Sequence, residues 1–479
     1  MSSVRRIAKN TTFLILSNVA NLVLGFFYAA YAARYLGAGG YGTIAYALAL
    51  TTIFGTLADL GLGQFAIREI SRNRSLVDKY VFNISAIKLI LVPIMIVSTI
   101  IVGDLLGRGD SSTVSVVYIL ALSASISAFV NIFNAVFQAF ENMEYSSLSN
   151  VINGAMMLSG ALLAIHFGLS VTSFAYVYLF ASIINLIFNL AVYMIKFFGS
   201  RTSLEFDSWG FILGESLPFG LAGLSVALYS WISSVMLDYM IGNEAVGWYT
   251  AAYRLMIILA IIPNVVNISL FPVMCRFFAT SESMFKFTQQ RFFRYMTFLG
   301  LPIGVGTTLT ADKIIYTIFG SAFANSVIPL QILVWSSVLV FISSSFSCLL
   351  STSNMQMTVS KVMAILAVEN IILNLLLIPK FSYLGPCIAS VTAQVTFLAL
   401  TMLASSKIGY SLSRGDFIFL VKLLMANAIM GIYIVFIRDQ NLFLIIASSA
   451  ILYFAISYFI EVFDKNDIEI LKNLLPKGD

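Results

Sequence analysis

From Phe13 onward the chain is a succession of long apolar runs separated by short polar turns. A run of about 20 apolar residues crosses a hydrocarbon core of about 30 Å as a helix. Runs of that kind fall at 13–35, 42–63, 81–103, 114–139, 148–166, 172–197 and 211–241. They continue at 247–273, 291–310, 327–350, 359–378, 384–405, 416–437 and 442–461. The pattern predicts an all-α polytopic membrane protein with about 14 transmembrane helices. The first run follows Arg5, Arg6 and Lys9 as a signal peptide would, but Phe13 to Tyr35 exceeds the usual apolar core of about 7–15 residues. It is expected to stay as the first helix.

The runs repeat. A shift of 205 positions places Leu36-Gly37 on Ile241-Gly242, Gly42 on Gly247 and Asp59 on Asn264. A shift of 212 places Asn142-Met143 on Asn354-Met355, and one of 214 places Phe167 and Ala175 on Phe381 and Ala389. This divides the chain into a six-helix lobe at 1–205, a second at 206–406, and two extra helices with a cytoplasmic tail at 407–479. Six is even, so both copies run the same way through the membrane. Parallel repeats of transporters place a substrate site between the halves near the midplane, which implies alternating access.

Composition agrees: 59% of residues are hydrophobic and 10% charged, against about 25% charged in soluble domains. Three cysteines without a CxxC spacing and the lone His166 argue against a disulfide framework or a metal site. The net charge of +5 reflects topology and implies no nucleic acid. With a cytoplasmic N-terminus, 19 of the 27 Lys and Arg residues fall on inner segments and 5 on outer ones, leaving Lys88, Arg254 and Lys422 inside spans. That bias predicts a multi-pass plasma-membrane protein with both termini in the cytoplasm.

Polar residues inside the spans form stripes. Asn18, Asn21, Gly25, Tyr28, Tyr31 and Tyr35 share one helical face; so do Ser127, Asn131, Asn134 and Gln138, and so do Asn185 and Asn189. Such stripes either hydrogen-bond helices together or line a polar cavity. Ionisable residues in the bilayer are costly and point to function. Arg254 and Lys88 are candidates to hold an anionic group, with Asn21, Asn131, Asn134 and Gln138 beside it. Lys88 could also snorkel, as Lys422 is expected to. Glu369 and Asp59 could bind H⁺ or Na⁺ as the coupling ion, or neutralise a buried base. Arg34 and Asp238, at the outer ends of repeat-related helices, could close an outer gate or be interfacial charges. No other cofactor is implied.

The segment Gly37-Ala38-Gly39-Gly40-Tyr41-Gly42 fits a dinucleotide-binding G-x-G-x-x-G. A true fingerprint follows a strand; here it joins two apolar helices. In the copy at 241–247 only Gly242 and Gly247 remain, which fits a tight turn between closely packed helices.

The run Ala33-Arg34-Tyr35-Leu36-Gly37 to Tyr41-Gly42, then Ala58-Asp59-Leu60-Gly61-Leu62 and Arg68, resembles the N-terminal signature of the polysaccharide transporter family. These are Wzx-type lipid-linked oligosaccharide flippases of the multidrug/oligosaccharidyl-lipid/polysaccharide superfamily. Val246-Gly247-Trp248-Tyr249 through Ala252-Tyr253-Arg254-Leu255 is similar in the second half. The resemblance implies a MATE-like pair of six-helix lobes that moves a polyprenyl-phosphate- or pyrophosphate-linked glycan to the outer leaflet. Arg34, Asp59 and Arg254 occupy signature positions, and cationic residues would engage phosphate and acidic sugars, Arg34 among them. Membrane lipid and a glycan polymerase or ligase of the same pathway are the implied partners.

Other classes fit less well. A drug exporter of the superfamily needs an acidic cavity for cations, whereas Lys88 and Arg254 set against Glu369 and Asp59 favour an anionic cargo. A lipid II flippase shares that cargo and the helix number. A membrane glycosyltransferase or ligase needs a sizeable outer loop with acids or histidines, and 311–326 offers only Asp312 and Lys313. The reading is therefore a transporter and not an enzyme.

Overall fold

The computed structural model describes residues 3–106, 111–199 and 204–462. Arg108, Arg201, Lys465, Lys472 and Lys477, used in the charge count, lie outside the described residues, as do the side chains of Arg5, Arg6 and Lys9.

Among the described residues all regular structure is helical. The helices are α1 (Ser3–Asp59), the short α2 (Leu62–Arg72), α3 (Val77–Leu106), α4 (Ser111–Ala139), α5 (Met143–His166), α6 (Val171–Lys196) and α7 (Trp209–Met240). After these come α8 (Asn243–Leu259), α9 (Ile261–Thr280), α10 (Glu282–Ile318), α11 (Val327–Thr352), α12 (Gln356–Phe381), α13 (Gly385–Lys407), α14 (Arg414–Phe436) and α15 (Leu442–Phe459). Eleven stretches of the described residues are long and apolar enough to cross a membrane, so this is a multi-pass membrane protein. The expected count of about fourteen is not reproduced by that criterion. Three of the eleven, Leu16–Asp59, Asn243–Thr280 and Gln356–Lys407, are 44, 38 and 52 residues long and contain a break. Helix α10, which carries Thr307, Thr308, Thr310, Asp312 and Lys313, is not among them.

Turn chemistry explains the breaks. Helix α1 kinks at one residue, Gly37 (φ 67°, ψ −177°), a conformation closed to side chains with a Cβ. The expected loop at 38–41 is already helix. The eighth run is split at Ala260, three residues before Pro263, whose missing N–H and bulky ring interrupt the ladder. Left-handed residues recur along the repeat: Gly37 and Gly242, Glu141 and Asn354, Gly168 and Ser382.

The chain forms two compact units, one of residues 1–254 with 363–389, the other of 255–362 with 390 onward. In the first, Phe65, Ile84, Ile132, Phe137 and Tyr193 build a core from α2, α3, α4 and α6. Ser149 on α5 bonds Asn185 and Asn189 of α6 (2.7 and 2.8 Å), and Ser233 on α7 bonds Asn370 and Asn374 of α12 (3.2 and 3.0 Å). In the second, Phe298, Phe419, Leu423 and Met430 pack α10 against α14. Pro302 cannot donate to the Phe298 carbonyl four residues back, and the Tyr453 hydroxyl of α15 donates to it instead at 2.8 Å. Leu89, Ile90, Ile94, Val97 and Ile101 stand exposed on α3, as lipid-facing positions do.

The repeat-related glycines meet each other's turns within the first unit. A Cβ on Gly42 would lie 1.8 Å from the Asn243 oxygen, and one on Gly247 would lie 2.0 Å from the Ala38 oxygen. Under the 205 shift Ala38 corresponds to Asn243 and Gly42 to Gly247, so the two contacts are equivalent. Asn243 then bonds Thr43 and Thr113 at 3.0 and 3.1 Å. Gly42→Ala and Gly247→Ala should each lower the thermal stability of the purified protein strongly, by about 3 kcal/mol. Gly55→Ala, where a Cβ meets nothing within 4 Å, should not. Equal melting temperatures for all three would show that the contact is not made.

Candidate functional site

Lys88 projects from α3 and is fully buried, and its ammonium donates to Asp59 Oδ1 at 2.7 Å and to the Ala128 carbonyl of α4 at 2.8 Å. Asp59 ends α1 and is one-third exposed. It precedes two left-handed residues, Leu60 (φ 43°) and Gly61 (φ 80°), that turn the chain into α2. A Cβ on Gly61 would lie 2.3 Å from the Ser216 oxygen of α7, so the corner sits directly on that helix. Beyond the corner, Arg68 pairs with Glu215 of α7 at 2.8 Å, and that hydrogen bond raises the arginine pKa further. Lys88 and Asp59, expected in separate binding and coupling roles, are one ion pair pinning this corner.

Arg254 is different. It lies half-buried in α8, and among the described residues no carboxylate comes within ion-pair distance of it. Its one hydrogen bond, to the Gly25 carbonyl, is long at 3.5 Å. A Cβ on Gly25 would lie 3.2 Å from Arg254 Nη2, so the glycine makes room for the guanidinium. The phenols of Tyr28, Tyr41 and Tyr178 are within its electrostatic reach. Among the described residues, neutral phenols, not carboxylates, are the titratable groups that feel this cation.

The polar stripes divide between the two roles. Asn185 and Asn189 bond α5 to α6. Asn21 Oδ1 would lie 2.4 Å from a Cβ on Gly154 of α5, so it marks close helix packing. On α4, Asn131 is exposed and Asn134 and Gln138 are half-buried, and none of the three makes a side-chain hydrogen bond among the described residues. Asn131 is the open end of that face, whereas the Asn134 amide oxygen is buried. Arg34 is exposed just before the Gly37 kink, while Asp238 is 4% exposed on α7 near Tyr46. Glu369 is half-buried on α12, next to Asn370 of the Ser233 network.

A family model described as polysaccharide biosynthesis protein matches residues 7–278. The chain belongs to the polysaccharide biosynthesis protein family. The matched stretch of this family member contains Lys88, Asp59 and Arg254, whereas Glu369 lies beyond it. It is 23% identical over 402 residues to "Probable low-salt glycan biosynthesis flippase Agl15" of Haloferax volcanii, covering 83% of this chain and 82% of that one. "Probable flippase AglR" of the same organism is 24% identical over 272 residues, 55% of this chain and 56% of that one. In fold, the family member is similar to the lipid II flippase MurJ in an inward closed conformation (TM-score 0.76, 16% identity, 93% of this chain and 99% of that one). An inward-facing multidrug resistance MATE family transporter of the MOP superfamily aligns with TM-score 0.66 and 16% identity over 81% of this chain and 95% of that one.

Opposite charges near one end of neighbouring runs were a sequence signal for the Lys88–Asp59 pair. Nothing in the sequence linked Tyr41 and Tyr178 to Arg254, because they come from α1, α6 and α8. Breaking a buried pair costs about 3–5 kcal/mol, but the two partners differ in exposure. Asp59→Asn strands a fully buried ammonium and should cost that much; Lys88→Met leaves a partly exposed carboxylate and should cost less. The double variant should regain most of the loss in thermal unfolding. Equal losses without recovery would show that the pair does not hold the corner.

Proposed function

We propose that the protein is a flippase moving a polyprenyl-phosphate- or pyrophosphate-linked oligosaccharide from the cytoplasmic to the outer leaflet for glycan biosynthesis. The observation that carries this reading is Arg254, a charge inside a span with no carboxylate partner among the described residues. An uncompensated cation in low dielectric is costly unless an anion comes to it, and the phosphate of a lipid-linked glycan is such an anion. Lys88 drops out as a free cation because Asp59 answers it. The amides of Asn131, Asn134 and Gln138, which bond no other side chain among the described residues, suit the hydroxyls of a glycan. Family membership and two relatives named as flippases support the same reading.

In this proposal the lobes at 1–205 and 206–406, with 407–479 appended, alternate access to the two leaflets, and both termini lie on the cytoplasmic side of the plasma membrane. The excess of Lys and Arg on the inner segments supports that orientation. Glu369 is the candidate to take H⁺ or Na⁺ as the coupling ion, Arg34 and Asp238 are the outer-gate candidates, and a polymerase or ligase of the pathway would use the product. Export of organic cations is disfavoured by the charge on Arg254.

Removing the protein from its cell should leave lipid-linked glycan in the inner leaflet. Arg254→Ala should fail to restore export, and Arg254→Lys should restore part of it, since lysine keeps the charge but not the forked donor geometry. Normal export by the alanine variant at normal protein levels would remove Arg254 from the mechanism. Sensitivity to cationic drugs with no accumulated glycan would overturn the flippase reading.

A further inference from the structure

We infer that Tyr28 and Tyr178 are neutral hydrogen-bond donors of an oxyanion site whose charge is supplied by Arg254. The inference rests on the reading of Arg254 as the holder of an anionic cargo and says which other side chains grip it.

The two phenols come from separate helices of the first unit: Tyr28 lies before the α1 kink and Tyr178 on α6. Tyr28 stands one turn from Gly25, on the face where the Arg254 guanidinium rests. Its ring meets the Tyr178 ring edge to face, with centroids 5.8 Å apart. The Tyr28 side chain is 5% exposed, and its hydroxyl lies toward that of Tyr178 without meeting it or any other described residue in full hydrogen-bond geometry. A buried hydroxyl short of a full hydrogen bond is unfavourable, and this one lies one turn from the Arg254 guanidinium, which no carboxylate meets at ion-pair distance among the described residues. One ligand type answers both, a group bearing several strong acceptor oxygens and negative charge.

Phenols suit a transporter here. A second arginine would hold the anion more tightly through charge, whereas neutral donors add direction and leave release easier. The oxyanion could be the phosphate of the lipid carrier or the carboxylate of an acidic sugar. Both present the same acceptors to the same donors.

The test uses the full-length protein in lipid nanodiscs, with decaprenyl phosphate and decaprenol as probes. Wild type should prefer the phosphate over the alcohol, and Arg254→Ala should lose the preference. Tyr28→Phe and Tyr178→Phe should each weaken phosphate binding about tenfold, the effect of one hydrogen bond to a charged group. Gly25→Ala, which removes no donor but crowds the guanidinium, should weaken it too. Surface Tyr118→Phe should not. Competition by inorganic phosphate but not glucuronate assigns the site to the lipid phosphate; the reverse assigns it to an acidic sugar; competition by neither overturns the oxyanion site.

If Arg254→Ala abolishes the preference while both phenylalanine variants bind as wild type, the tyrosine inference is wrong and the role of Arg254 stands. If Arg254→Ala keeps the preference, the underlying reading fails as well. Weakened binding in the tyrosine variants that is matched by a fall in melting temperature, with Gly25→Ala unaffected, would assign the phenols to packing and overturn the inference.

Discussion

Hydrocarbon offers no hydrogen bonds, so a polar group buried in the spans is costly unless the chain itself answers it. The architecture follows this constraint at several places. The Phe298 carbonyl, orphaned by Pro302, is met by Tyr453. Ser149 with Asn185 and Asn189, and Ser233 with Asn370 and Asn374, join helices through hydrogen bonds between amide and hydroxyl groups. Lys88 has Asp59 and a carbonyl. Arg254 stands apart because it carries a full charge and, among the described residues, has only a long contact to a carbonyl.

The corner between α1 and α2 combines contacts of unequal strength. On one side Lys88 holds Asp59 from full burial, where loss of a partner is expensive. On the other, Arg68 and Glu215 pair across partly exposed positions, 29% and 47%, where an ion pair contributes about 0–1 kcal/mol. Glycines let backbones touch at both ends of the second arm of α1, Gly42 and Gly247 at one and Gly61 at the other. These contacts tolerate no added methyl group, yet most of their free energy is packing and not charge, so they set geometry without introducing unpaired polarity.

Much of this was legible along the chain. Run lengths and the scarcity of charge determined the all-helical membrane class, because a span needs a fixed length of apolar residues whatever it packs against. The repeat located two pairs of glycines with special roles, Gly37 with Gly242 and Gly42 with Gly247, since unusual dihedrals and close approach both require the missing Cβ. Depth along a helix marked Lys88 and Arg254 as the deep cations. Family resemblance pointed to the same stretch that the family model matches.

Tertiary structure decided what sequence distance hides. Lys88 and Arg254 look alike as buried cations, and only the packing of α3 against the end of α1 shows that one is neutralised and the other left open. Asn185 and Asn131 look alike as stripe residues, but the first bonds its neighbour helix while the second faces outward. Tyr28 and Tyr178, distant in sequence, meet edge to face one turn from the carbonyl that Arg254 reaches. Hydropathy and spacing are local properties of the chain, whereas the partner of a charge depends on which helices touch.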